Sequence, residues 1–368
     1  MADQKTPSSR RPIRPQPIEV GMSASGLLET TFLGSTAGLL AEAAYLLTRR
    51  ILVRADTLVG LSLDAPIISS GMGISALIPL LEGGYVDWLS VTGSNLYYDA
   101  LIALRKPLLR GDPDPSELVE DCGGGISIRQ QDREAAEAVL REILSGPDFQ
   151  RTMSSAALHA AIGRHLRAQE KNLGVEFPSI LTSAHELGVP IFNPSAADNL
   201  LGSLIADLAE AGNRLVLDPI RDLNQAAAIL NGTGTAGNGG AVLCLGRGAA
   251  ANFVLGVPAH LRRILGDSAR APYESCIRLA GRAHMDPSAR AQRIPEVEAA
   301  DVPCERRGDE PLIDLAISTD LSVTFPILTA YILDRAAPRA PKRLGEQRAD
   351  LMDQLRQDHL QATLKRSI

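Results

Sequence analysis

Short apolar runs alternate with longer amphipathic stretches through most of the chain. Brief runs rich in Val, Ile and Leu are typical of buried strands, whereas apolar residues spaced by three and four positions indicate helices. The predicted strands are Thr57–Leu63, Tyr85–Val91, Val189–Phe192, Arg214–Leu217, Ala241–Leu245, Tyr273–Leu279 and Leu312–Ile317. The main predicted helices are Ile74–Leu81, Asn199–Ala211, Leu223–Leu230, Ala249–Leu265 and Leu321–Leu333. This alternation predicts an α/β fold, a doubly wound and mostly parallel Rossmann-like sheet with helices on both faces.

Three parts of the chain depart from that alternation. Residues 1–18 are rich in Pro and Arg and almost lack apolar side chains, which predicts a disordered amino-terminal arm. Residues 110–175 are charged and helical without clear buried strands, so they read as a helical insertion within a domain that spans 19–334. Residues 335–368 predict a peripheral carboxy-terminal helix over Leu344–Arg366.

Charge and composition narrow the classes of partner. A net charge of −6 argues against nucleic acid, because phosphate binding needs a basic surface. The longest apolar stretch contains Glu29 and Glu42, so it predicts amphipathic helices rather than a membrane span. The first residues lack the apolar core of a signal peptide, and the four cysteines have no metal-binding spacing. We therefore expect a cytoplasmic protein that binds no metal, membrane or nucleic acid.

Polar turns that contain glycine follow three of the predicted strands. They are Ser69–Gly73, Thr92–Asn95 and Gly246–Ala251, the last of which satisfies G-x-G-x-x-A between a strand and a helix. Backbone N–H groups in such turns can approach a phosphate. Because the carboxyl ends of parallel strands meet at one edge, the turns predict a dinucleotide or another phosphorylated ligand there. A tight turn in which small residues serve packing explains Gly246–Ala251 equally well.

Several blocks of the chain resemble the deoxyhypusine synthase family. The segment GYVDWLSVTGSNLYYDAL, preceded by IISSGMG, is similar to the family's glycine turn and its YVD-x-x-V-T-T-G-A-N pattern. Further blocks that resemble the family in the same order are VPIFNPSAADNLLGS (189–203), RLVLDPIRDLNQAAAIL (214–230), VLCLGRGAAAN (242–252) and STDLSVTFPIL (318–328). Since order and approximate spacing are kept over residues 50–334, the chain is identified as a member of that superfamily, with its fold.

The resemblance implies an NAD-dependent enzyme that oxidises an amine and transfers an aminoalkyl group, with active sites at the subunit interfaces of a homotetramer. The matched NAD-contact positions are Ser69, Thr92, Gly93, Asp198, Gly246 and Asp320. Arg247 stands where the family has a glycine, and it either pairs with the pyrophosphate or obstructs it. Asp198 and Asp320 suit ribose hydroxyls, because a carboxylate is a strong paired acceptor, and they suit helix N-caps as well.

The family's catalytic lysine has no counterpart here. Its block corresponds to residues 284–307, and no lysine occurs between Lys171 and Lys342. Arginine cannot replace it, since a guanidinium stays protonated and is a poor nucleophile. The family's catalytic histidine corresponds to Asn252. His284 begins the block that replaces the family's lysine block, and Tyr97 stands at a position that is acidic in the eukaryotic family pattern. The candidates for a catalytic role are therefore Asn252, His284 and Tyr97.

The sequence leaves two functions open. One is an NAD-dependent enzyme that acts on a small-molecule amine without a lysine–imine intermediate, in polyamine or specialised metabolism. The other is a non-catalytic NAD-binding paralogue with a regulatory or structural role. The polar turns favour the enzyme, whereas the missing lysine and histidine favour the paralogue.

Overall fold

The computed structural model of the protein describes residues 13–112, 117–123, 125–197, 200–233, 239–266, 269, 273–281 and 313–366. The described α-helices are α1 (Ala24–Thr30), α2 (Ser35–Leu46), α3 (Ile78–Glu82), α4 (Gly93–Ala103), α5 (Gln130–Ser145), α6 (Ser155–Leu173), α7 (Ile180–Leu187), α8 (Leu200–Glu210), α9 (Pro219–Thr233), α10 (Ala249–Leu265), α11 (Leu321–Arg335) and α12 (Arg348–Arg366). Short π-helices cover Leu47–Ile51 and Gly73–Leu77, and a 3-10 helix covers Pro147–Phe149. The described strands are β1 (Leu58–Leu63), β2 (Trp88–Val91), β3 (Leu109–Arg110), β4 (Val119–Gly123), β5 (Ile126–Arg129), β6 (Thr152–Met153), β7 (Ile191–Phe192), β8 (Val216–Leu217), β9 (Gly240–Leu245), β10 (Tyr273–Ala280) and β11 (Ile313–Ser318).

Six of the described strands form one parallel sheet in the order β11-β10-β9-β1-β2-β7. The chain builds outward from β1 through β2 to β7, and then returns to add β9, β10 and β11 on the other side of β1. The strand order therefore reverses between β1 and β9. Every residue of β1, β2 and β9 is buried, as expected for a parallel sheet that helices cover on both faces. The predicted α/β, doubly wound and mostly parallel fold is confirmed.

Two apolar cores lie on opposite faces of this sheet. In β9, Leu243 and Leu245 belong to one core, whereas Val242 and Cys244 belong to the other. This alternation follows from the period of two along a strand. The first core packs against helices that include α2, α4 and α11, and the second packs against α9, α10 and α12.

Two details of the sequence prediction are wrong. The segment 110–175 contains strands as well as the helices α5 and α6, because β3, β5 and β4 form a small antiparallel sheet. These strands are short and partly exposed, so they leave no buried apolar run in the sequence. The predicted strand Arg214–Leu217 shortens to β8, which pairs with β6 outside the central sheet. The side chain of Val216 is 54% exposed, so its apolar character does not mark a buried strand.

The two ends of the chain differ in how much of them is described. Residues 1–12 of the predicted arm lie outside the described residues, and residues 13–18 are exposed and belong to no helix or strand. At the other end α12 buries Leu355 and Ala362, and Leu355 belongs to the second core. The side chain of Asn231 on α9 also donates to Asp358 on α12, at 2.6 Å. No described helix has both the length and the apolar character needed to cross a membrane.

A buried ion cluster lies at the amino ends of β1 and β2. The carboxylate of Asp87 accepts hydrogen bonds from the backbone N–H of Val59 at 2.7 Å, from Arg339 at 3.1 Å and from the Lys342 ammonium at 3.0 Å. Lys342 also donates to the carbonyl oxygen of Thr57, at 2.9 Å. The cluster therefore attaches the segment between α11 and α12 to the amino ends of β1 and β2.

Candidate functional site

A cleft of about 670 Å³ opens at the carboxyl ends of four neighbouring strands, β1, β9, β10 and β11. Its position spans the point between β1 and β9 where the strand order reverses, which is where open α/β sheets bind ligands. The residues that line it are Thr36, Asp64, Ala65, Pro66, Ile67, Gly246, Arg247, Gly281, Ser318, Thr319, Asp320, Leu321 and Ser322.

Backbone hydrogen bonds align the turns that form the rim of the cleft. Just beyond its strand, Asp64 donates its N–H to Leu245 at 2.9 Å. Gly246 donates to Leu279 at 2.7 Å, and Thr319 donates to Ala280 at 2.8 Å, in the same manner. The end of each strand is thereby fixed to its neighbour, so the residues that follow the strands lie side by side.

The carboxylate of Asp64 lies at the first turn of α10. Its two oxygens accept the backbone N–H groups of Ala250 and Ala251, each at 2.9 Å. Burial raises the pKa of Asp64, and the backbone N–H groups that it accepts oppose that rise. These N–H groups lack partners within the helix, and Gly248 at the N-cap makes no side-chain hydrogen bond. Asp64 thus supplies the cap that α10 lacks in its own sequence.

The two glycines of the G-x-G-x-x-A turn are required by the close approach of Asp64. Gly246 adopts a φ of +102°, and a Cβ added there would lie 2.9 Å from the Cβ of Asp64. A Cβ on Gly248 would lie 2.5 Å from an oxygen of the same carboxylate. The glycines of this turn therefore serve packing, because their missing side chains leave room for Asp64. A pyrophosphate would need the N–H groups that Asp64 already binds, so it does not fit on α10 while Asp64 remains there.

Two further charged side chains line the cleft. Asp320 is the N-cap of α11, where one of its oxygens accepts the backbone N–H of Ser322 at 2.8 Å and its hydroxyl at 2.7 Å. The hydrogen bonds from the Ser322 hydroxyl and N–H lower the pKa of Asp320, so the side chain is a carboxylate at neutral pH. Arg247 is exposed in the turn after β9. The cleft is large enough for part of a dinucleotide such as a ribose, and the carboxylate of Asp320 is a suitable acceptor for ribose hydroxyl groups.

The turn after β1 lines part of the cleft, and the turn after β2 is joined to it. The side chain of Asn95 donates to the Ala65 carbonyl oxygen at 3.0 Å and to the Thr92 hydroxyl at 2.9 Å, which joins the two turns. Ser69 is buried, and its hydroxyl lies 3.5 Å from the carbonyl oxygen of Pro66. Gly93 is the first residue of α4 and is also buried. None of Ser69, Thr92 and Gly93 belongs to the lining of the described cleft.

The two described candidates for a catalytic role, Tyr97 and Asn252, do not line this cleft. Tyr97 is 1% exposed, and its hydroxyl donates to Glu137 on α5 at 2.8 Å. Burial, followed by the nearby Glu137, raises the pKa of Tyr97, so its phenol stays neutral. Asn252 is exposed on α10 and is not among the lining residues. His284 and the proposed ribose ligand Asp198 lie outside the described residues.

Sequence reasoning missed Asp64. The residue directly follows a central strand, and a polar residue at that position is a general signal for a site in a doubly wound sheet. Its partners on α10 are 186 and 187 residues further along the chain, so the spacing of residues in the sequence could not predict this contact. No described group of three or more His, Cys, Asp or Glu side chains is arranged to hold a metal ion.

Sequence comparisons with known proteins identify one family. The family model for deoxyhypusine synthase matches residues 27–332. A deoxyhypusine synthase-like protein of Nostoc punctiforme is 33% identical over 95% of this chain and 90% of its own length. Another from Nostoc sp. PCC 7120 is 33% identical over 95% and 91%. The crystal structure of a candidate deoxyhypusine synthase of Entamoeba histolytica has the same fold, with a TM-score of 0.57 at 15% identity over 89% of this chain and 99% of that one. This chain belongs to the deoxyhypusine synthase family.

Proposed function

We propose that this member of the deoxyhypusine synthase family is an NAD-dependent enzyme that acts on a small-molecule amine. The reaction is a dehydrogenation followed by transfer of an aminoalkyl group to a small acceptor, in polyamine or specialised metabolism. The observation that supports the proposal best is the cleft at the reversal of strand order, lined by the residues that follow four parallel strands.

NAD, when bound, would supply the acceptor for the hydride. Asp320 is the proposed ligand of a ribose, because its carboxylate lines the cleft and is exposed. Arg247 is the proposed ligand of the pyrophosphate, since a guanidinium binds such oxygens in pairs. Gly246 allows the backbone to come close. Ser69, Thr92 and Gly93 remain proposed NAD contacts on the family resemblance alone, since none of them lines the described cleft. Asp198 keeps its proposed role on sequence grounds alone.

The charges of the described lining suit a cationic substrate. It contains the carboxylates of Asp64 and Asp320 against the single guanidinium of Arg247. An ammonium group is attracted to such carboxylates, of which Asp64 is half-buried and Asp320 is exposed. This balance supports an amine as the substrate class.

A covalent lysine intermediate is not part of the proposal. No lysine lines the described cleft. Lys342 lies at the amino ends of the strands, whereas the cleft lies at their carboxyl ends. Asp87 and the Thr57 carbonyl oxygen hold its ammonium group there. Its side chain therefore cannot reach a substrate in the cleft. We propose that the imine formed by oxidation would be attacked directly by the acceptor amine. The C–N bond to the original amine would then break, that amine would leave, and the hydride held by the reduced cofactor would return to the new imine carbon.

The proposal includes four copies of the chain, with each cleft completed at a subunit interface, as the family resemblance implies. The cleft is wide and open in a single copy, which leaves room for a neighbouring chain to close it. Light scattering at micromolar concentration is expected to give a tetramer. A monomer would contradict this part of the proposal.

One experiment tests the reaction and its route together. The purified protein is incubated with NAD and a panel of amines that includes spermidine, and NADH is followed by its absorbance. Borohydride is then added, and the intact mass is measured. We expect reduction of NAD by at least one amine without any covalent adduct. An aminoalkyl adduct on any lysine would contradict the lysine-free route.

The non-catalytic paralogue is the second candidate. It is favoured by the absence of lysine from the described lining and by the exposed position of Asn252 outside it. Such a protein would retain NAD through purification, as seen by mass spectrometry after denaturation, yet would reduce none of it with any amine. Turnover of NAD with one amine would exclude this candidate.

A further inference from the structure

The first turn of α10 lies beside the point at which the strand order reverses, where doubly wound sheets bind ligands. The unpaired N–H groups and the positive end of the helix dipole both favour an anion there. In this chain an internal anion occupies that position, since Asp64 accepts the N–H groups of Ala250 and Ala251.

The local sequence is adapted to this arrangement. No acidic residue lies in the first turn of α10, and its N-cap makes no side-chain hydrogen bond. Gly246 and Gly248 leave the space that Asp64 fills, because a Cβ on either would come within 3 Å of it. The turn therefore accommodates a carboxylate that comes from the end of a different strand.

We propose that Asp64 is a specificity-determining residue, which keeps phosphate groups off the first turn of α10 and directs the anionic part of a dinucleotide towards Arg247. The choice of NAD as the ligand rests on the proposed function. A phosphate at α10 would compete with Asp64 for two N–H groups and would be repelled by its charge. Arg247 lines the same cleft, one residue beyond Gly246. Its five N–H donors allow it to bind an anion in addition to other contacts.

The test compares Asp64→Asn with the parent protein. The amide has the same shape and keeps one oxygen as an acceptor, but it removes the negative charge. Dissociation constants for inorganic pyrophosphate and for NAD are measured by calorimetry. We expect Asp64→Asn to bind pyrophosphate about tenfold or more tightly than the parent, a change of the size that a nearby like charge produces.

Asp222→Asn is the matched control. Asp222 caps α6 in the same way, by accepting the N–H groups of Ser155 at 2.8 Å and Ala156 at 3.4 Å, but it does not line the cleft. The Asp222→Asn protein is expected to bind pyrophosphate with the same affinity as the parent. Adenosine, which has no phosphate, is expected to bind the parent and Asp64→Asn equally. If Asp64→Asn gains no more pyrophosphate affinity than Asp222→Asn, the role of Asp64 is refuted.

A double-mutant comparison tests the link to Arg247. Arg247→Ala is expected to weaken NAD binding about tenfold in the parent and clearly less in the Asp64→Asn protein, where no negative charge repels a phosphate from α10 and the amide holds only one of the two N–H groups. Equal losses in both backgrounds would refute the redirection of the anion. If thermal unfolding shows that Asp64→Asn does not fold, Asp64→Ser replaces it, because a hydroxyl caps a helix without charge.

The outcomes separate this inference from the proposed function. If the parent binds no NAD but Asp64→Asn gains pyrophosphate affinity, the role of Asp64 stands and the proposed cofactor is wrong. If both proteins bind NAD equally and neither gains pyrophosphate affinity, the cofactor stands and the role of Asp64 is wrong.

Discussion

Replacing Asp87 with Asn is expected to destabilise the protein strongly, because it leaves two buried cations without their anion. The side chain of Asp87 is 1% exposed, and those of Arg339 and Lys342 are 5% and 20% exposed. The substitution keeps the shape of the side chain and one oxygen for the N–H of Val59, which lies at 2.7 Å. Charge is thus the main quantity that changes.

The magnitude follows from the burial of the cluster. Removing one partner of a buried ion pair costs about 3–5 kcal/mol of unfolding free energy, and here one carboxylate serves two cations. Desolvation already lowers the pKa of Lys342, and Asp87 opposes that shift. Without Asp87 the pKa of Lys342 in the folded state falls further. The folded protein then binds fewer protons than the unfolded protein, so the free energy of unfolding of the variant rises with pH. The cost of Asp87→Asn should therefore be smaller near pH 9 than near pH 6.

Urea denaturation followed by tryptophan fluorescence is the assay. The chain contains one tryptophan, Trp88, which is fully buried and adjacent to Asp87. The control is Asp353→Asn, which removes a carboxylate 2.6 Å from Arg356 where both side chains are more than 60% exposed. We expect the control to change stability by less than about 0.5 kcal/mol. A loss below about 1 kcal/mol for Asp87→Asn, at every pH, would refute the role of the cluster.

Two other perturbations have defined outcomes. Burial raises the pKa of Asp99 from 3.8 to about 7. The folded state therefore binds more protons than the unfolded state between these two pH values, and this contribution to stability is lost as pH rises through 7. The unfolding free energy of the parent minus that of Asp99→Asn should thus fall between about pH 4 and about pH 7.5 in urea titrations, and a constant difference would exclude the shift. Asp320→Ser keeps a cap for α11 but loses the carboxylate, so calorimetry should show NAD binding weakened by about 1–3 kcal/mol while thermal stability changes little. Equal NAD affinity would remove Asp320 from the proposed site.

The sequence predicted elements whose signals are local. The helix Ala249–Leu265 occurs in the structure with the same bounds as α10, because a glycine turn precedes it and an apolar period continues through it. The strand Ala241–Leu245 is likewise recovered within β9. Arg214–Leu217 failed since an apolar run does not reveal whether its side chains are buried.

The candidate site was less predictable because its contacts are distant in sequence. Gly246 and Asp320, which were named from the family resemblance, both line the cleft, but their contact with NAD stays a prediction. The function of the glycines depends on Asp64, far along the chain, and no local pattern indicates that contact. Tyr97 was selected because it stands at a position that is acidic in the family pattern. Its partner Glu137 lies on a helix of the segment 110–175, which that pattern does not indicate.

The position of β1 also matters while the polypeptide is being synthesised. One side of β1 pairs with β2, which is made soon afterwards, but the other side waits for β9. Until residue 245 has left the ribosome, the apolar strand LVGLSL keeps an open edge that can pair with other chains. A chain truncated before β9 should therefore aggregate rather than fold into half a domain. Production of the intact protein then depends on how quickly that edge is covered, or on chaperones that shield it.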